Sequence, residues 1–405
     1  MTIRGLGKFT ALLRRYETPI TDTVVGATAL LGVVAAISSA SAQPTSSPVS
    51  LNHTTSQVQH QQHLLPAKPL TVESVTPGGG AGGVNGTDDI KLTFNAPLSP
   101  KTKLPAVSPN IAGSWKVSGD TATFTPQVGF SPDTRVTVTA PAGMQGYPGV
   151  LRPTSTLKKN YSSSFTTGGY STARLQQLLA QLGYLPLTFH PSDSSGNVPS
   201  DDPKAQLSAA YDAPSGSLSW EGKYPAQLED QWRGGENNML DVGAVRNFEY
   251  DHGLTMDGDA GPEVWSTLLS AVAKGDKNQH GYSYALATQG GSGENLQVYR
   301  NGKEILYTAA NTGVAGAPTA DGTFPVFDRT PFQMMKGKNP DGTKYNDPVH
   351  WISYFNGGDA IHGFDRAGYG YYQSNGCVEI PVSTSQWLYP YINYGTLVTV
   401  QGPEA

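Results

Sequence analysis

The hydrophobic period of this chain changes twice, and those two changes constrain its fold more than any other feature. Over residues 70–168, runs such as Ile90-Lys91-Leu92-Thr93-Phe94, Thr121-Ala122-Thr123-Phe124 and Arg135-Val136-Thr137-Val138-Thr139 alternate apolar and polar side chains, the period of a half-buried strand. Over 170–273 the period lengthens. Leu175, Leu178, Leu179 and Leu182 fall at i, i+3, i+4 and i+7, one face of a helix that should stop at Gly183. A second helix is expected from Asp241 through Val242, Val245 and Phe248 to Gly253. A third opens at Pro262, a residue suited to a first helical turn, and aligns Trp265, Leu268, Leu269 and Val272. Over 281–402 strands return, with Leu296-Gln297-Val298-Tyr299 and Ile305-Leu306-Tyr307-Thr308 flanking Asn301-Gly302, the dipeptide of a tight hairpin. The 47 Gly and 30 Pro supply turns between many short strands. The expected fold class is multidomain and mainly β: a β-sandwich, a three-helix module and a C-terminal β-rich domain, the last read as separable from about Gly281.

Ahead of these modules, Arg4, Lys8, Arg14 and Arg15 precede an apolar run from Val24 to Ile37 and the small residues Ala40-Ser41-Ala42. Residues 1–42 therefore read as an export signal cleaved before Gln43, or as a retained membrane anchor. In both cases the rest of the chain is expected outside the cytoplasm, secreted or anchored. Residues 43–69, rich in Gln, Ser, Pro and His without a hydrophobic period, read as a disordered linker. Its His53, His60 and His63 are too irregularly spaced for a metal site. A net charge of −5 offers no basic footprint and disfavours nucleic acid as a partner. Between the first and second helices lies an insertion, about Thr188 to Leu240, with Trp220, Tyr224 and Trp232; these rings either stack on sugar or peptide, or pack the insertion onto the helices.

The chemistry-bearing stretch lies near the C-terminus. Cys377 is the only cysteine, and His362 stands fifteen positions upstream. A thiol attacks as thiolate and needs a neighbouring base or cation to lower a pKa of about 8.5. Ala360-Ile361-His362 reads as the end of one strand and Cys377-Val378-Glu379-Ile380 as the start of the next, which would bring imidazole and thiol together. Gly376 permits close backbone approach, and the Gly376 and Cys377 amides are candidate donors to a developing oxyanion. The loop Tyr369-Gly370-Tyr371-Tyr372 is expected to wall the substrate. A lone unpaired thiol in an exported chain points to a nucleophile more than to a buried apolar filler.

These residues resemble the L,D-transpeptidases of bacterial cell walls, whose signature is a His followed after a loop by Ser/Thr-His-Gly-Cys. His362, Ser374 and Gly376-Cys377 match that signature; Asn375 stands in place of its second His, and Glu379 where Asn or Arg is common. Pro318 to Phe324 resembles the family's Thr-Pro-x-Gly-x-Phe segment, Gly395 to Val400 its closing strand, and Met334-Met335 through Tyr345-Asn346 the flap over its active site. Val75-Thr76-Pro77, Ile90 to Asn95 and Thr123-Phe124-Thr125-Pro126 resemble a bacterial immunoglobulin-like domain. Leu175 to Tyr184, Ala244 to Leu254 and Asp257 to Leu269 resemble the three-helix peptidoglycan-binding domain.

The resemblance implies that Cys377 attacks the stem tetrapeptide between its third and fourth residues, releases D-Ala and passes the acyl group to a second stem. Its catalytic group would comprise Cys377, His362, Gly363, whose carbonyl would orient His362, Ser374 and Gly376. Asn375, Tyr345, Tyr372 and Glu379 would contact substrate. Peptidoglycan stem peptides and glycan are the implied partners and carbapenem-type β-lactams the implied inhibitors, with no metal or organic cofactor. Water as acceptor would instead give an L,D-carboxypeptidase, and a site without turnover would leave a wall-binding protein.

Overall fold

The computed structural model describes residues 68–147, 154–194, 198–290 and 293–402. The expected export signal and all but the end of the expected linker lie outside the described residues. No helix among the described residues is long and apolar enough to cross a membrane.

The first module pairs two sheets. Strands β1 (Val72–Thr76), β2 (Ile90–Phe94), β4 (Gly113–Ser118) and β5 (Thr121–Pro126) form one in the order β1-β2-β5-β4; β3 (Ala106–Ser108), β6 (Arg135–Ala140) and β7 (Tyr161–Thr166) form the other. Alternation does the sorting: Ile90, Leu92, Phe94, Ala122 and Phe124 from the first sheet share a core with Val136, Val138, Ala140 and Phe165 from the second, as face-to-face sheet packing requires.

The second module holds α1 (Thr172–Gln181), α2 (Pro203–Tyr211), α3 (Ala226–Glu229), α4 (Met239–His252) and α5 (Pro262–Lys274), with a hairpin of β8 (Leu187–Pro191) and β9 (Gly216–Trp220). The three expected helices are α1, α4 and α5. Helix α4 starts on a capping box between Asn238 and Asp241 and ends at left-handed Gly253, while α5 opens on Pro262; these devices satisfy orphan backbone groups at the helix ends. The insertion is itself folded. Its α2 reaches back to the first module, where Tyr211 donates to the Phe130 carbonyl at 2.6 Å. Its aromatics reach forward: Tyr224 packs against Tyr282 and Tyr299, and its hydroxyl accepts from the Gly302 amide at 2.8 Å. Trp220 and Trp232 also pack on the helical core. All three rings thus perform the packing role.

The C-terminal domain has two sheets. One runs β12 (Lys303–Ala309), β11 (Asn295–Arg300), β10 (Ser283–Thr288), β18 (Leu397–Gln401), β13 (Gly322–Pro325); the other runs β14 (Asp328–Lys338), β15 (Lys344–Asn356), β16 (Asp359–Gly363), β17 (Val378–Ile380). Ala285, Ala287, Leu296 and Val298 face Phe355, Ile361, Val378 and Ile380 between them. The opposite face of the first sheet is not free. Tyr284, Leu286 and Leu397 belong to the same core as Leu178, Leu240, Ala244 and Phe248 of the helices. Helix α4 comes close enough because Gly243 has no side chain: a Cβ there would lie 2.6 Å from the Gly395 carbonyl oxygen. A cut at Gly281, where separability is expected, would pass through this shared core.

Candidate active site

Strands β16 and β17 run parallel with His362 opposite Glu379. Cys377 immediately precedes β17, and the cavity beside that strand pair takes in both its side chain and that of His362. Both line one cavity of about 160 Å³ with Glu379, Arg366, Asp359 and Tyr345. The long β14–β15 hairpin supplies the roof, contributing Met335, Tyr345 and Asp347 to the lining.

The loop before the nucleophile is clasped by Ser374. That buried hydroxyl donates to the Cys377 carbonyl at 2.6 Å and accepts from the Gly376 amide at 3.2 Å. The expected role of the Gly376 amide as a free oxyanion donor is therefore corrected, since its proton is already committed to Ser374. Gly376 is needed for another reason. Its φ is +113°, and a Cβ would meet the Asp359 Oδ1 at 2.5 Å. Asn375 is exposed and donates to Asn339 in the hairpin tip at 2.7 Å, so it ties the cysteine loop to the roof. Tyr345 lies over Gly337 of the roof and lines the cavity.

Two expected substrate contacts are placed differently from the rest. Tyr372 is exposed and does not line the cavity. Tyr369 donates to the Phe364 carbonyl at 2.6 Å, so that loop braces itself. Glu379 lines the cavity, but the residue is only 5% exposed and its carboxylate is held by Arg366, with Nε to Oε2 and a terminal nitrogen to Oε1 both at 2.8 Å. A carboxylate committed to a bidentate guanidinium has little left to offer a substrate. Arg366 and Asp359 were not singled out from sequence. A basic residue thirteen positions before an unexpected Glu was the available signal for Arg366; Asp359 had none.

The electrostatics set the resting protonation. Burial pushes the Cys377 thiol up to about 12, with Glu379 and Asp359 adding to the rise and the Ala360 amide opposing it. The Sγ makes a long contact of 3.5 Å to the Gly358 carbonyl. Burial pushes His362 down to about 4 against the pull of Glu379; the residue is 3% exposed. The Gly363 carbonyl also favours the protonated ring, yet Nδ1 has no hydrogen bond of ordinary geometry among the described residues. At neutral pH the thiol is thus protonated and the imidazole neutral, the form in which a histidine can accept a proton. Among the described residues no group of His, Cys, Asp or Glu is arranged to hold a metal ion.

A thiol and an imidazole in the wall of one cavity are the groups that acyl transfer through a cysteine requires. Residues 291–400 match the family model described as the L,D-transpeptidase catalytic domain, and residues 66–167 match that of a bacterial Ig-like domain. The C-terminal domain is an L,D-transpeptidase domain, of the class that cross-links peptidoglycan. No curated protein matches the chain. Among solved structures, it is similar to the catalytic domain of an E. faecium L,D-transpeptidase, at 29% identity over 29% of this chain and 96% of that one, with a TM-score of 0.27. It is also similar to an L,D-transpeptidase from Mycobacterium smegmatis, at 13% identity over 82% and 100% of the two chains, with a TM-score of 0.27. A third is L,D-transpeptidase 3 from Mycobacterium tuberculosis in complex with a faropenem-derived adduct, at 13% identity over 82% and 98%, with a TM-score of 0.27.

Proposed function

We propose that this chain acts outside the cytoplasmic membrane and cross-links peptidoglycan through an acyl-enzyme on Cys377. The observation that carries the reading is the placement of Cys377 and His362 in the wall of a single cavity under the β14–β15 roof. As Sγ attacks the carbonyl carbon of the donor amide, His362 takes the thiol proton. The oxyanion forms beside the Cys377 amide. When it collapses, the carbon–nitrogen bond breaks and His362 returns the proton to the departing D-Ala amine, leaving a thioester. An amine of a second stem then attacks the thioester, its proton passing through His362 back to sulfur. Ser374 holds the loop geometry, Tyr345 and Asn375 hold the roof, and the helical module binds the wall.

Incubation with disaccharide-tetrapeptide tests the reading: cross-linked dimer and free D-Ala are expected from wild type and neither from Cys377→Ser. Free D-Ala with tripeptide and no dimer would make the chain an L,D-carboxypeptidase. Neither product would leave a wall-binding protein.

A further inference from the structure

A cavity of about 480 Å³ lies away from Cys377 in the helical module, between α1, the β8–β9 hairpin and the segment before α2. Its walls include Arg174, Phe189, Pro191, Val198, Glu221 and Lys277. Arg174 is 3% exposed. Its terminal nitrogens donate to two neutral amides, Gln177 Oε1 at 3.2 Å and Gln206 Oε1 at 3.0 Å, and its Nε has no partner. The ion pairs among the described residues are His280 with Asp251 and Arg366 with Glu379; Arg174 is in neither.

A buried guanidinium without a counter-charge is costly, and several kcal/mol of desolvation are ordinarily met by a carboxylate or phosphate. Two features make this one worse. Arg174 lies in the first turn of α1, which has no acidic residue, and the positive end of a helix disfavours a cation. Burial lowers its pKa to about 10, which still leaves it charged at neutral pH. The two glutamines are themselves fixed: Gln177 donates to the Pro214 carbonyl at 2.9 Å and Gln206 to the Val198 and Pro199 carbonyls at 3.2 and 3.0 Å. Their oxygens are thereby turned onto the guanidinium and hold it in place. The guanidinium is thus held, without a carboxylate partner, in the wall of the cavity. Glu221, which accepts from the Thr188 hydroxyl, and Lys277 are the other charged groups of the lining.

We propose that this cavity is a second binding site, which takes the carboxylate of a peptide on the Arg174 guanidinium. Bidentate geometry suits a planar carboxylate, and Phe189, Pro191 and Val198 supply apolar wall for short side chains. The inference is independent of acyl transfer at Cys377, so its failure would leave that reading standing.

The test is titration of the full chain, labelled with 15N-arginine and carrying Cys377→Ser, with N-acetyl-alanyl-alanine, its C-terminal carboxamide and inorganic phosphate. The readout is the Arg174 Nε–H resonance, identified with Arg174→Lys, which keeps the charge. A saturable shift is expected with the free acid, with at least tenfold weaker binding of the carboxamide and of phosphate. Val198→Trp fills the cavity without touching the guanidinium and should abolish the shift; this arm stands even if Arg174→Lys fails to fold, the resonance then being the one arginine signal that Val198→Trp makes unresponsive. No arginine shift with the free acid, equal response to the carboxamide or to phosphate, or a shift that survives Val198→Trp would overturn the proposal.

Discussion

His362 and Glu379 are register partners across the parallel β16–β17 pair, yet the carboxylate is turned to Arg366 and the imidazole remains neutral. That arrangement fixes the sign of the pH dependence. The reactive form needs an unprotonated imidazole, and the folded-state value is pushed down to about 4. Activity should therefore hold as pH falls through 6.5, where an ordinary histidine protonates, and be lost only as pH approaches about 4. A kcat/KM profile between pH 4 and 8 checks this. An acidic limb centred near 6.5 would contradict the burial argument.

His362→Ala should slow acylation of Cys377 by a carbapenem about 10²–10⁴-fold, the usual contribution of a general base. His350→Ala should change it less than about tenfold, because His350 packs against Phe332 in the roof. Intact-mass spectrometry follows the adduct, and Cys377→Ser should show none. Comparable losses at His350 would mean the base is misassigned.

Gly376→Ala should be damaging by strain and by clash. Holding a non-glycine residue at φ +113° costs on the order of 1–3 kcal/mol, and the Cβ meets Asp359 Oδ1. A lower Tm and loss of adduct formation are expected. Adding Asp359→Ala should restore part of both, since it removes the clash and not the strain; no recovery at all would place the fault elsewhere.

Asn375→Ala removes the tie to Asn339. An exposed hydrogen bond is worth about 0.5–1.5 kcal/mol, so KM should rise by up to about tenfold with kcat little changed. A collapse of kcat with KM intact would put Asn375 at the reacting atoms.

Legibility followed the physics of each element. Strand β2 alternates buried and exposed positions and could be read directly, as could α1, α4 and α5 from their apolar spacing and Gly or Pro ends. The neighbouring strands of His362 and Cys377 were readable from two short apolar runs. Strand β10 was harder to place, because five of its six residues are buried; a strand covered on both faces has no alternation to show which neighbours cover it. Arg366 and Asp359 act through tertiary contacts with Glu379 and Gly376 that no local pattern encodes. Tyr372 misled because an aromatic loop beside a nucleophile suggests a wall, whereas its neighbour Tyr369 merely ties the loop to Phe364.

The shared core gives the last prediction. Tyr284, Leu286 and Leu397 are buried against the helices, and Asn247 of α4 donates to the Tyr394 carbonyl at 2.9 Å. Removing everything before Gly281 would expose those three side chains, and each buried large apolar side chain contributes about 1.5–3 kcal/mol. That loss is comparable to the 5–15 kcal/mol net stability typical of a domain. Residues 281–402 alone should therefore melt at least about 10 °C below residues 168–402 and bind a hydrophobic dye, while 168–402 should match the full chain in the rate of Cys377 adduct formation. Equal melting temperatures for the two fragments would show that the helices merely rest on a sheet that is stable without them.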